Sequence, residues 1–417
     1  MEKFTKWADK SGVNPFDPPR PQLPKNLVLK LGRLVIGSAL FLVKVVLLSG
    51  IAGAYVLVSS MLEPVGLAGL GAAWYYRGIF VEVSYGLIAY AILELAFPLA
   101  RRPPRRVADW ALLSLALQVL GVRHRPEPAN LRRLGLREPG DRRATPRLGS
   151  GLRAGDLLVC NGTSFTEVLW LQARFSPAAW ARCHLPPGPP AGRAEDLVTL
   201  SSVGFFRALY YSALPPTIGF ASDAEKTCLG EISRRAAAAG GRGPVVVFPE
   251  AVRTNGAAVL PFRPEVLGEP ALPPAARAHL VLFNYRNAGF SPAHPVGPFL
   301  KKLFWICAQF STPVTVNYIT GLDTPKSSTA EKAAKEKETG KATNDTRAAA
   351  AAAAAAGAAV RRASDWPARL RALGAAALGR PAVDVTIWDH RSFSEYYNLL
   401  QTDKKAAAKL ADQRKKN

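Results

Sequence analysis

Apolar positions are spread unevenly along the chain. Residues 34–62 read LVIGSALFLVKVVLLSGIAGAYVLVSSML, 29 positions with one charge, Lys44. A helix of that length spans roughly 43 Å, against a hydrocarbon core of ~30 Å, so the run predicts a membrane helix retained as an anchor. Lysine at a bilayer centre costs about 2.5–3.5 kcal/mol, which predicts that Lys44 snorkels or that the membrane helix is shorter than the run. A second run at 78–100 carries Glu82 and Glu94 and predicts a weaker membrane-associated segment. The stretch VADWALLSLALQVLGV at 107–122 is short enough to predict an interfacial or core helix.

Beyond residue 154 the pattern changes to short apolar runs separated by polar turns. LLVC before NGTS, LVTLSSVGFF at 197–206, VVVF at 245–248, HLVLFNYR at 279–286, STPVTVNYI at 311–319 and AVDVTIWDH at 382–390 predict strands. Helices are predicted after Ser164, around Val168, Leu169 and Leu171, and over 222–241, where Ser222 and Glu225 occupy capping-box positions before a Gly pair. Strands alternating with helices predict an α/β fold with a mostly parallel sheet flanked by helices. The loops NGTSFTE and PEAVRTNG each follow a strand run, which predicts that they face one cleft at the carboxyl edge of the sheet.

The organisation expected from these shifts is a basic segment at 1–33, membrane-associated helices at 34–122 and a basic linker at 123–154. A catalytic-type domain at 155–320 follows, then a low-complexity insertion at 321–365, a return to the domain at 366–400 and a basic tail at 401–417.

Charge then narrows the partners. With 54 Lys and Arg against 31 Asp and Glu, the chain carries a formal net charge of +23. Seven Lys and Arg lie in 1–33 and twelve in 101–150, so both flanks of the apolar region favour the cytosolic side, which two crossings would satisfy. A bilayer accounts for the charge better than nucleic acid, for which no recognition motif is present. Four scattered cysteines and five histidines form no disulfide framework and no metal-ligand spacing, so no metal is expected. Cys160 ends a buried run and reads as an inert thiol.

Two blocks carry the chemistry. The run FPEAVRTNG at 248–256 with VLPF at 259–262 resembles the FPEGTRS-type block of the PlsC-like lysophospholipid (phospholipid/glycerol) acyltransferases. Glu250 and Arg253 match, while Ala251 and Val252 replace the family's Gly and Thr. The segment Asn161-Gly162-Thr163-Ser164-Phe165-Thr166-Glu167 resembles that family's NHxxxxD block, with Gly162 at the histidine and Glu167 at the aspartate. MEKFTKW at the start and ADQRKKN at the end are similar to a divergent fungal branch, the oleoyl-CoA:lysophosphatidic acid acyltransferases. No arginine matches the family's intermediate one; PPTIGFASD at 215–223 occupies that interval.

The resemblance implies a glycerol-3-phosphate acyltransferase-like fold and transfer of a fatty acyl group from acyl-CoA to lysophosphatidic acid, giving phosphatidic acid. It implies acyl-CoA as co-substrate, no bound cofactor, and lysophospholipid and membrane lipids as partners. The implied location is the endoplasmic reticulum membrane and lipid droplets, with the catalytic domain cytosolic. Substrate contacts are expected from Glu250, Arg253, Thr163, Ser164 and Asn255. Glycine cannot be a general base, so the candidates are Glu167, provided desolvation raises its pKa, and His184, provided the fold brings it into the cleft; a reaction resting on proximity and thioester activation is the third option. The alternative is a catalytically impaired protein of the same fold that binds lipid or acts as a scaffold.

Overall fold

The computed structural model of the 417-residue chain describes residues 7–19, 26–62, 104–137, 146–184, 199–213, 226–238, 243–267, 272–273, 275–285, 290–325 and 365–403. The second apolar run at 78–100, most of the 321–365 insertion, the PPTIGFASD interval and most of the basic tail lie outside these residues.

The described residues contain one mixed, mostly parallel sheet. Its strands are β1 (Val122–Pro128), β2 (Leu157–Cys160), β3 (Ala179–His184), β4 (Thr199–Val203), β5 (Val245–Val247), β6 (Ala278–Asn284) and β7 (Thr312–Ile319). They lie in the order β1-β7-β6-β2-β5-β3-β4, with β3/β4 and β6/β7 antiparallel and the other pairs parallel. The helices are α1 (Leu27–Leu62), α2 (Pro104–Leu120), α3 (Phe165–Phe175), α4 (Phe205–Ala213), α5 (Leu229–Ala238), α6 (Pro264–Leu267), α7 (Phe299–Cys307), α8 (Trp366–Leu378) and α9 (Ile387–Thr402).

Side-chain alternation along the central strands builds two cores. Leu157, Val159, Val245, Val247, Leu280 and Leu282 point to one face, where Ile232 of α5 and Trp366 and Leu370 of α8 cover them. Leu158, Cys160, Val246, Val281 and Phe283 point to the other, covered by α2, α3 and α7. A strand buried on both faces reads as an unbroken apolar run, which is why LLVC and VVVF were legible. Each fully buried aliphatic side chain contributes about 1.5–3 kcal/mol.

Several sequence expectations change here. The basic linker at 123–154 begins inside β1, an edge strand pairing parallel with β7 from Val122↔Thr312 to Pro128↔Tyr318. An edge strand needs backbone pairing on one side only, so VRHRPEP shows no apolar alternation. AVDVTIWDH is not a strand. Ala382 makes an isolated bridge to Val259, and Thr386 and Asp389 form a capping box that starts α9. The helix predicted over 222–241 is described at Leu229–Ala238; Ser222 and Glu225 lie outside the described residues.

One helix among the described residues is long and apolar enough to cross a membrane, over Val28–Val58 with mean hydropathy 2.4. Most of its surface is bare, with Val28, Val35, Leu42 and Val46 exposed. Phe41, Lys44, Leu48 and Tyr55 face the domain at helical spacing. Lys44 turns toward the domain: its Nζ donates to the carbonyls of Leu120 at 3.2 Å and Gln309 at 2.6 Å. These carbonyls close α2 and follow α7, at helix ends where carbonyls lack partners and a cation is favoured. Gly121 makes this approach possible. At φ +80 it is left-handed, and a Cβ there would lie 2.6 Å from the Phe310 carbonyl. Tyr55 donates to Asp109 of α2 at 2.8 Å, and Asp109 also accepts from Gln172 and Ser176, tying α1, α2 and α3 together.

Candidate active site

The two loops singled out in the sequence lie against each other. Thr254 N–H donates to the Gly162 carbonyl at 2.9 Å, and a cavity of about 110 Å³ opens between them. Gly162, Thr163, Ser164 and Glu167 line one side, and Phe248, Val252 and Arg253 the other. Trp180 and Arg182 of β3 and Tyr211 of α4 close it.

Glu167 is placed by the start of α3. Ser164 caps the helix, its Oγ accepting from Thr166 N–H at 3.3 Å, which puts Glu167 three positions in and folded back over the turn. Thr163 N–H donates to Oε2 at 3.0 Å, the Thr163 hydroxyl donates to Oε1, and Tyr285 Oη donates to Oε1 at 2.9 Å. Burial outweighs these donors and pushes the carboxyl up to about 7.

Arg253 sits opposite, its guanidinium donating to the Ser212 carbonyl at the end of α4. Burial and the neighbouring Arg182 charge bring it down to about 10, so it stays charged at neutral pH. Burial brings Arg182 to about 10 as well; its guanidinium lies 3.5 Å from the Tyr211 ring centroid. The pattern did not single out Arg182, because AWARCH carries no strand periodicity.

The other predicted residues separate. Thr163 and Ser164 line the cavity. Glu250 does not: it is buried beneath the loop, Oε1 accepting from Leu260 N–H at 3.0 Å, and burial pushes it up to about 8. Asn255 also leaves the cavity wall. Its Nδ2 donates to the carbonyls of Asn14 and Asp17 at 3.0 Å each, and its N–H donates to Pro15 at 2.8 Å. It therefore fastens the N-terminal segment to the loop. His184 is buried off the cavity with Nε2 2.7 Å from Ser201 Oγ. Cys160 is fully buried, and burial pushes its thiol well up. Among the described residues no group of three or more His, Cys, Asp or Glu could hold a metal ion.

Gly162 is not required by its backbone, since its φ is not left-handed and a Cβ would lie 3.4 Å from the Val252 carbonyl and 3.5 Å from Phe248 Cδ1. Gly162→Ala is therefore expected to fold with a stability change within about 1 kcal/mol, measured by thermal unfolding. The neighbouring Ala251, by contrast, takes φ +60, the left-handed conformation that favours glycine.

Compared with known proteins, the chain matches no family model, no curated relative and no solved structure.

Proposed function

We propose that this chain is a membrane-bound acyltransferase that moves a fatty acyl group from acyl-CoA to lysophosphatidic acid, giving phosphatidic acid, on an acyltransferase-like fold. The observation that carries this reading is one cavity holding a carboxyl poised at about 7 and two half-buried arginines. The arginine forks suit phosphate oxygens, and Glu167 suits removal of a hydroxyl proton near neutral pH. In the proposed reaction the acceptor phosphate rests on Arg253 and Arg182. The Glu167 carboxylate takes the acceptor hydroxyl proton as that oxygen bonds to the thioester carbonyl carbon. The tetrahedral intermediate then breaks its C–S bond, and Glu167 returns the proton to the departing thiolate.

Lipid access is supported by α4. Ala208, Tyr211 and Ser212 line the cavity, Phe206 and Tyr210 are exposed, and Tyr55 of α1 packs on Phe205 and Phe206 with ring centroids 5.3 and 5.5 Å apart. The apolar helix thus adjoins the cavity wall, which supports a membrane-bound placement; the endoplasmic reticulum or lipid droplets, with a cytosolic α/β domain, follow from the sequence resemblance. A lipid-binding protein without turnover is the alternative, favoured by Gly162 in place of histidine.

The test is turnover of labelled acyl-CoA and lysophosphatidic acid by the purified full chain. Arg253→Ala is expected to lower kcat/KM about 10- to 100-fold, mostly through KM for the acceptor. Tight lysolipid binding with no turnover by the unaltered chain overturns the enzyme in favour of the binding protein.

A further inference from the structure

A second cavity, of about 330 Å³, lies behind the Thr163 turn. The two spaces are separated by the strut in which His294 N–H donates to the Thr163 carbonyl at 2.7 Å. The second is lined by His294, Lys301, Lys302, Trp305 and Tyr397 among others, and none of its lining residues is acidic.

Three features suit it to an anion. It includes the N-terminus of α7, whose N-cap is Pro298 with no side-chain cap. The first amides of a helix lack intrahelical partners, and the positive end of the dipole favours an anion. Lys302 is held in the wall, its Nζ donating to the Ser291 carbonyl at 2.7 Å and lying 4.0 Å from the Phe290 ring centroid. The third feature is independent of the helix. His294 is 4% exposed and lines the cavity, and its ring nitrogens have no hydrogen-bond partner among the described residues. The ring nitrogens are not among the fully buried polar atoms, so they reach solvent through the cavity, where a ligand oxygen could take the place of water. Burial holds His294 down at about 3, so it meets the ligand as a neutral N–H donor. Burial also disfavours the Lys302 ammonium, and a bound anion would offset that.

We infer that this cavity binds the phosphate group of a small phosphorylated molecule, with the phosphate on the α7 N-terminus, Lys301 and His294, and the body of the molecule against Trp305 and Tyr397. The inference goes beyond the acyltransferase reading and does not rest on it. A nucleotide, a glycerophosphate headgroup and free phosphate share this chemistry.

The test is calorimetric titration of the full chain in detergent micelles with adenosine 3′,5′-bisphosphate, glycerol 3-phosphate and inorganic phosphate. The unaltered chain is compared with Lys301→Glu, His294→Ala and Arg253→Ala. Lys301 is exposed, so its variant keeps the test valid should His294→Ala fail to fold. Saturable binding of at least one probe is expected, weakened about tenfold or more by Lys301→Glu, whereas any binding that Arg253→Ala removes belongs to the first cavity. Tightest binding of the bisphosphate assigns the nucleotide, tightest binding of glycerol 3-phosphate the headgroup, and equal binding the free anion. No saturable binding, or binding lost in Arg253→Ala and untouched in Lys301→Glu, overturns the inference. Phosphate binding without acyl transfer would leave this site standing and remove the proposed enzyme; acyl transfer without binding here would do the reverse.

Discussion

Glu167→Gln is expected to lower kcat for acyl transfer by about 10²–10⁴ while leaving lysolipid binding within a few-fold, because the amide cannot take a proton. Steady-state rates against pH add a second check. The base works deprotonated, and the carboxyl sits at about 7, so kcat of the unaltered chain should fall as pH drops through that value. Glutamine should remove this limb from the residual rate. The same shift predicts a stability gain. A carboxyl raised from 4.5 to about 7 binds more protons folded than unfolded between those values. Its contribution is intact below the unfolded value and is lost as pH rises through the folded one. Glutamine avoids that loss, so the variant should be more stable at pH 8, by at most about 3 kcal/mol. An unchanged rate and pH profile would remove Glu167 as the base.

Trp7→Ala is expected to cost about 3–5 kcal/mol, read by thermal or denaturant unfolding. Trp7 is 1% exposed, stacks on Tyr396 with centroids 4.4 Å apart, and meets Phe393 edge-on at 5.5 Å. Phe16, also fully buried, meets the His390 ring at 5.0 Å. The N-terminal segment and α9 thus form a third core together with Val252 and Leu260 of the Arg253 loop. Loosening it should also raise KM for the phosphorylated acceptor, a readout that damage remote from the loop would not move. Trp7→Phe retains part of the packing and should recover part of both effects.

Legibility followed the physics of each element. LLVC, VVVF and HLVLF announced central strands because burial on both faces demands unbroken apolar runs. VRHRPEP and AWARCH did not, since an edge position in one and a cavity wall in the other allow charged residues within a strand. AVDVTIWDH looked like a strand by its apolar alternation, yet the Thr386 and Asp389 cap starts a helix inside it. Glu250 and Asn255 sit among cavity residues in the sequence, but the turn sends their side chains to Leu260 and to residues 14 and 17. Trp7 and Phe16 stood in a segment read for its charge and for a terminal resemblance, not for packing.

The sequence by itself determined the long apolar helix, the central strands, the capped start of α3 and the two loops that carry Glu167 and Arg253. Each depends on neighbours a few residues apart, through side-chain period, capping and turn chemistry. The tertiary structure alone decided that Lys44 closes the ends of two helices, that Arg182 joins Arg253, that Asn255 serves the N-terminal segment and that the Glu167 carboxyl sits at about 7. Desolvation and charge proximity set these properties, and both arise between segments tens to hundreds of positions apart, beyond the reach of any local pattern.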